Sequence, residues 1–364
     1  MKIVIDLQGL QRDGNRKRGI GRYCLEFTKE LIHYYPENEY ILFTNTALTD
    51  ISTYFIEELN NNKLSVKYFH CPTVGDINGP HVGRYSKKWL SMQLRSYALS
   101  IINADILLIT SFFDGFRDNS LVSHDKCFEL PPIVSIVYDL IPLIHCEKYL
   151  NIDSEYKLFY MQKIKELSSL DGLLAISQSS FSEISMYLDI DKQLIFNISS
   201  ACNRKKFSLN TSNSNIDKNY LGKFLLYCGA TDPRKNLFRL IEAYSLLPSY
   251  LICNYKLVLA GKLIPEEIDL IFRICKNLNL PKEYIVLLGF VTDEELLYLY
   301  RKCHLFVFPS LHEGFGLPVL EAMSCSAPVI GSDRTSIPEV ICYTPAMFDP
   351  TNVSEIRELI IKAL

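Results

Sequence analysis

Two glutamates eight positions apart, Glu313 and Glu321, bracket a short glycine-containing run in HEGFGLPVLEAM. A carboxylate accepts hydrogen bonds from sugar hydroxyls but repels a phosphate. Between them, the backbone N–H groups of Gly314, Phe315, Gly316 and Leu317 point past a helix N-terminus, where anions bind. Pro318 reads as the opening of that helix, at a position where its missing N–H costs nothing. A second constellation is GATDPRKNL at 229–237. There Arg234 offers a bidentate fork and Lys235 a point charge, a pair suited to the charge of a diphosphate. Taken together these residues suit a nucleotide, a diphosphate and a sugar along one crevice, with Glu321 on the ribose and Glu313 on the second sugar. Each has a bland alternative, a helix start with solvated glutamates and a solvated basic loop. The order strand, glycines, proline-started helix, strand favours binding.

Those positions need a scaffold, and the apolar runs supply one. Residues 305–308 and 329–331 read as buried parallel strands on either side of the glycine loop and its helix. Similar strand-like runs occur at 2–6, 40–43, 64–69, 105–109, 133–138, 172–176 and 194–197, separated by helical stretches such as 21–35, 87–102 and 155–169. Ser180-x-x-Glu183 reads as a capping box opening another helix. The Asn- and Ser-rich segment 203–221 reads as a linker. After it a second series begins at 223–228 and continues at 256–259, 285–288, 305–308, 329–331 and 346–348, with Thr292-x-x-Glu295 capping the helix before the central stretch. Such alternation predicts an α/β chain of two doubly wound, Rossmann-like domains, residues 1–205 and 206–364, facing across a cleft with ligands at the strands' carboxyl ends.

Composition narrows the classes. A chain of 364 residues with 48% hydrophobic and 22% charged residues is long enough for two globular cores and too apolar for disorder. A net charge of −3 gives no general attraction to nucleic acid or to an anionic membrane. The eleven cysteines are scattered without C-x-x-C pairs, which suits a reduced, cytoplasmic protein without a zinc site. Asp6 interrupts the first apolar run too early for a signal peptide, and no run approaches membrane-spanning length, so membrane contact is expected to be peripheral. Asp189-Ile190-Asp191 spells D-x-D but reads as a solvated loop, and His145, His304 and His312 lack ligand spacing.

The loop after the first strand holds Gly19 and Gly21 among Arg12, Arg16, Lys17, Arg18 and Arg22. Cys24 stands where a dinucleotide fingerprint needs its third glycine, which argues against NAD. At 133–142, IVSIVYDLIP, a strand ends on Tyr138 and Asp139. Tyrosine can donate a hydrogen bond there but cannot act as a base near neutral pH.

With these motifs in place, HEGFGLPVLEAM and DPRKN resemble the donor site of retaining glycosyltransferases of family 4, which have the GT-B fold, and the resemblance covers most of the chain. DLQG, GIGRY and YDLIP are similar to polysaccharide and O-antigen mannosyltransferases. The resemblance implies a metal-independent enzyme moving a hexose, mannose from GDP-mannose being one such case, to a glycan or lipid-linked glycan acceptor. No separate cofactor is expected. It implies Arg234 and Lys235 on the donor diphosphate, Glu321 on the ribose, Glu313 on the hexose, and Gly19 and Gly21 near the donor phosphate from the opposite domain. It places Asp139 near the acceptor, with Tyr138 where similar enzymes have histidine. Arg22 lies on the acceptor side, and the remaining loop cations either bind a lipid-linked phosphate acceptor or are solvated, the second being favoured. The leaving phosphate is thought to take the acceptor's proton. Two alternatives are a nucleotide-sugar epimerase of the same architecture and a non-catalytic nucleotide-sugar-binding protein. Similar enzymes end in a helix crossing back to the first domain, which is expected to be missing here. The apolar stripe Ile356, Leu359, Ile360 and Leu364 would then lack a partner.

Overall fold

The computed structural model describes residues 1–16, 19–61, 64–70, 81–125, 127–203, 207 and 221–364, with only the backbone of 81–88. It divides into two compact units, one of Met1–Ile176 with Ser180–Ile198 and one of Ser177–Ser179 with Ser199–Leu364. The predicted linker at 203–221 lies mostly outside the described residues.

The first unit is a parallel sheet of β1 (Lys2–Asp6), β2 (Glu39–Asn45), β3 (Leu64–Phe69), β4 (Ile106–Ile109), β5 (Ile133–Val137), β6 (Gly172–Ala175) and β7 (Ile195–Asn197) in the order β3-β2-β1-β4-β5-β6-β7. The chain reverses its direction of travel between β1 and β4. Crevices at strand carboxyl ends open at such switch points. Its helices include α1 (Gly19–Tyr34), α2 (His81–Ser100), α3 (Ser154–Leu167) and α4 (Gln178–Tyr187). Under the switch point lies a buried polar network. Asp6 accepts from Arg95 Nη2 of α2 at 2.7 Å and from Gln8 N at 3.0 Å. Gln8 in turn brackets Leu121, donating to its carbonyl and accepting from its N–H, each at 2.8 Å. Asn45 Nδ2 reaches the Asn119 carbonyl at 3.0 Å. Buried charge is tolerated because it is paired, and every partner here is supplied from within the unit.

The second unit is a parallel sheet of β8 (Phe224–Cys228), β9 (Lys256–Ala260), β10 (Ile285–Gly289), β11 (Leu305–Phe308), β12 (Val329–Ser332) and β13 (Met347–Phe348) in the order β10-β9-β8-β11-β12-β13. Its switch point falls between β8 and β11, and these carry the two motifs. All four residues of β11 are buried, as its unbroken apolar run requires. Helices α5 (Leu237–Ser245), α6 (Pro265–Asn277), α7 (Asp293–Lys302), α8 (Leu317–Ser324) and α9 (Val353–Ala363) complete the unit. The capping box of Thr292 and Glu295 on α7 is present in both directions.

Two expectations need correction. Ser180 and Glu183 do not open a helix. Helix α4 starts two residues earlier, and both side chains turn inward to the end of β5, Ser180 Oγ donating to Tyr138 O at 2.9 Å and Glu183 accepting from Leu140 N at 3.3 Å. Nor does the stripe on α9 lack a partner. Ile356 and Ile360 are fully buried in the core of the second unit, with Leu359 and Leu364 packed against it. An amphipathic helix needs one apolar surface to cover it, and α5 of the same unit provides it.

Candidate functional site

Three charged side chains converge at the second switch point. After β8 the chain makes a single helical turn, Pro233–Lys235, which Asp232 caps by accepting from Arg234 N at 2.9 Å. Asn236 then adopts the left-handed conformation, φ 59°, which asparagine tolerates better than most residues. Its buried amide donates to the carbonyls of Pro309 at 3.0 Å and Pro350 at 2.7 Å. That fixes the turn against the loop following β11. The Leu311 N–H also bonds the Arg234 carbonyl at 2.7 Å. As a result Arg234 Nη1 lies 3.0 Å from one Glu313 oxygen and Lys235 Nζ 2.6 Å from the other. Arg234 Nη1 also donates to His312 O at 3.2 Å.

Glu313 is held from behind as well. Its N–H bonds Thr335 Oγ1 at 3.1 Å and its carbonyl accepts from Ser336 Oγ at 2.9 Å. Burial alone would raise its carboxyl, but the Lys235 ammonium and Arg234 guanidinium prevail and hold it below the usual glutamate range. An ionised, buried carboxylate is thus shared by two partly exposed cations, and Asp232 lies 3.5 Å from Arg234 Nε.

The glycine loop ends at Gly316, whose φ of 98° caps α8. A Cβ there would sit 2.6 Å from the terminal Cδ1 of Ile337, which can shift, so the backbone conformation is what favours glycine. Helix α8 begins at Leu317, which puts Pro318 at its second position, where the N–H is still unused. Phe315 is buried. Glu321 lies on the buried side of α8 and accepts from Tyr300 Oη of α7 at 3.2 Å. A cavity of about 410 Å³ adjoins this region on the side of α5 and α6, lined by Thr231–Pro233, Phe238, Glu242 and Ile274, and the charged cluster is not on its wall.

In the first unit, Asp139 follows β5 and accepts from Ile141 N at 3.0 Å. The hydroxyl of Tyr138 turns to the Thr110 carbonyl at 2.9 Å and to Cys24 Sγ at 3.3 Å. Burial raises this phenol well above its ordinary value and pushes the Cys24 thiol up to about 11. Cys24, in the fingerprint's third-glycine position, is core. A Cβ on Gly21 would meet Asn15 O at 2.4 Å, so that glycine lets α1 pack on the preceding helical turn, Asp13–Arg16, while Gly19 has open space around it. Arg22 is half-buried in the first turn of α1. Arg12 bridges Asp114 at 3.1 Å and Asp118 at 3.0 Å, and Arg16 pairs with Asp13, so these two loop cations are engaged within the unit. Lys17 and Arg18 lie outside the described residues.

Asn236 opens α5, as its place after the basic turn suggests, but its clamp on the Pro309 and Pro350 carbonyls had no signal in the sequence. The pairings of Gln8, which lies in DLQG, and of Asn45 and Arg95, which lie in no motif, were not readable from the sequence. Among the described residues no group of three His, Cys, Asp or Glu side chains is placed to hold a metal ion. Asp191 of the D-x-D caps a helical turn through Gln193 N at 2.9 Å.

Residues 212–364 match the family Glycosyl transferases group 1. The chain is also 30% identical to an O-antigen chain mannosyltransferase B of Escherichia coli, over 95% of this chain and 87% of that protein. The chain belongs to the group 1 glycosyl transferases. A serotype-specific mannosyltransferase WbdA of E. coli is 37% identical across the whole of this chain, which spans 44% of that relative's length. Among solved structures, Anabaena Alr3699/HepE in complex with UDP-glucose superposes with a TM-score of 0.64 at 18% identity, covering 100% of this chain and 89% of that one. This likeness establishes the two-domain GT-B fold that the resemblance implied. For a group 1 glycosyl transferase, the cluster at the β8–β11 switch point lies within the segment that the family match covers. No helix among the described residues is long and apolar enough to cross a membrane.

Proposed function

We propose that this chain transfers mannose from a nucleotide-diphospho-sugar, GDP-mannose, to a glycan or lipid-linked glycan acceptor, with retention and without a metal ion. The carrying observation is the convergence of Arg234 and Lys235 on the buried Glu313, at 3.0 and 2.6 Å. Two cations at a strand-end switch point, beside a helix N-terminus, suit a diphosphate. The incoming phosphates share these cations with Glu313, whose carboxylate then has acceptor capacity for hexose hydroxyls. Arg234 and Lys235 stabilise the charge that builds on the leaving diphosphate, and that group takes the acceptor's proton. Glu321 receives the ribose hydroxyls, and Asp139 lies near the acceptor. The choice of mannose rests on the two E. coli relatives, whose names carry that sugar. Both are named as transferases, and no observation on this chain favours an epimerase or a protein that only binds.

A thermal-shift panel of GDP, UDP, dTDP and ADP tests the donor. A ligand at a hundred times its Kd stabilises by about 2.7 kcal/mol, so GDP is expected to raise the melting temperature most. Mannosyl transfer to an acceptor is expected to persist in excess EDTA, and its loss there would overturn the metal-free reading.

Peripheral membrane contact belongs to the same proposal. Helix α2 exposes Trp89, Leu90, Leu94 and Tyr97, with Ile101 just beyond it, at spacings that share one face. Large apolar and aromatic side chains on one helix face suit a lipid surface. Vesicle co-sedimentation is expected to fall when Trp89 and Leu94 become serine, and unchanged sedimentation would remove α2 from that role.

A further inference from the structure

The loop from Thr110 to Ser123 in the first unit has no role in the donor reading, yet buried side chains hold it at several points. Gln8 grips it at Leu121 and Asn45 at Asn119, through the buried network under β1. Gly115 makes its turn possible with φ 103°, and a Cβ there would meet Ser120 O at 2.7 Å. The loop presents Phe116, whose ring centroid lies 5.0 Å from Tyr156 and 5.4 Å from Phe159, both on α3. All three rings are half-buried, and the exposed Arg117 guanidinium lies 4.8 Å from the Phe116 ring centre, where an incoming sugar would displace it. Among the described residues the Tyr156 hydroxyl makes no hydrogen bond, although burial raises the pKa of the phenol above its ordinary value. Asp139 and Arg12 are near enough to bias that ionisation in opposite directions.

Asp139 itself sits on a pinned turn. Ser180 holds the Tyr138 carbonyl and Glu183 the Leu140 N–H, at 2.9 and 3.3 Å. A rigid aromatic surface, an uncommitted hydroxyl, a carboxylate and a guanidinium are therefore gathered at the carboxyl ends of β4 and β5. Sugar-binding surfaces combine these features, the ring taking the apolar C–H face and the polar groups taking hydroxyls.

We propose that Phe116 and Tyr156, together with Asp139, form the subsite for the terminal pyranose of the acceptor glycan. The Tyr156 hydroxyl bonds a sugar hydroxyl, and the Phe116–Tyr156 surface selects a pyranose with an open C–H face. This rests on the transferase reading for its biological meaning, but the binding itself can be tested apart from it.

The test uses the whole chain, with a panel of oligosaccharides ending in mannose, galactose or N-acetylglucosamine. Tyr156→Phe removes only the hydroxyl, and Phe116→Leu removes the ring while keeping an apolar side chain. The acceptor KM is expected to rise about three- to tenfold in Tyr156→Phe, the size of one lost hydrogen bond. A similar rise of about three- to tenfold is expected for Phe116→Leu from lost ring contacts. The Kd for the donor nucleotide and the rate of donor hydrolysis without acceptor are expected to stay at wild-type values. An unchanged acceptor KM in both variants, or an equal loss of donor affinity, overturns the subsite. In a second arm the same oligosaccharides are titrated without donor. Binding that depends on Tyr156 in a protein that transfers nothing would keep the subsite and reject the transferase reading. Transfer unaffected by either substitution would do the reverse.

Discussion

Arg234→Ala is expected to weaken binding of a nucleoside diphosphate about ten- to a hundredfold, the range set by losing a charge-assisted hydrogen bond of roughly 1.5–3 kcal/mol. Nucleoside without phosphates should bind both proteins alike. Lys235→Ala is expected to act in the same direction, and the two are not equivalent. Arg234 also donates to the His312 carbonyl at 3.2 Å, so its removal loosens the backbone that carries Glu313. Lys235 makes its contact to the Glu313 carboxylate at 2.6 Å and is the cleaner probe of charge. Arg234→Lys separates the two roles, since a point charge keeps the attraction and loses the fork. Calorimetric titration with diphosphate and with nucleoside decides the matter. Equal diphosphate affinity in wild type and both alanine variants would take these residues out of the donor site.

The fold was readable because parallel strands buried on both faces appear as unbroken apolar runs, and 305–308 is the clearest of them. What periodicity could not supply was the direction of a polar side chain at a helix start. Ser180 and Glu183 have the spacing of a capping box, and so do Thr292 and Glu295. Only the second pair caps, because α7 begins after Thr292, whereas α4 begins before Ser180. Spacing is identical in the two cases, and tertiary partners at the end of β5 decide the first. The stripe on α9 failed for a related reason. A sequence shows that an apolar face needs cover but not which neighbour provides it, and here α5 does so within the same unit.

Within the site, the charged motifs were legible as types and not as a network. Arg234, Lys235 and Glu313 were each identified, but 78 residues separate Lys235 from Glu313 and nothing in the sequence says that they pair. Gly316 was read for its N–H group, and its left-handed backbone gives a further reason for glycine there. Gly21, expected near the donor phosphate, also has a packing reason, since its missing Cβ leaves room for Asn15. A glycine tells that space or conformation is needed, not what fills the space. The Asp6–Arg95 pair was invisible because Arg95 lies in no motif and 89 positions separate it from Asp6 of DLQG.

That network gives Glu313→Gln an unusual expected pattern. The substitution keeps shape and removes the charge that Arg234 and Lys235 share in the free protein. Breaking a buried pair costs about 3–5 kcal/mol, and the partial exposure of both cations puts the expected loss of stability at the lower end. A diphosphate supplies the missing negative charge, so its affinity should be unchanged or tighter in the variant, and nucleotide should restore much of the lost melting temperature. Turnover should nevertheless fall about a hundredfold or more, the scale seen when one preorganised polar group at a reacting centre is removed. Acidity gives an independent reading. The folded-state carboxyl of Glu313 lies below the usual range, so its contribution to stability is present above the ordinary glutamate value, about 4.3, and is lost as pH falls through the folded value. Glu313→Gln has no such group to protonate, and its melting temperature should fall less steeply than that of wild type as the pH drops below that range. Melting curves of both proteins against pH, with and without nucleoside diphosphate, measure every part of this pattern. Weaker diphosphate binding in Glu313→Gln, in step with its loss of turnover, would mean that Glu313 acts by orienting the two cations and not by competing with the phosphates for them.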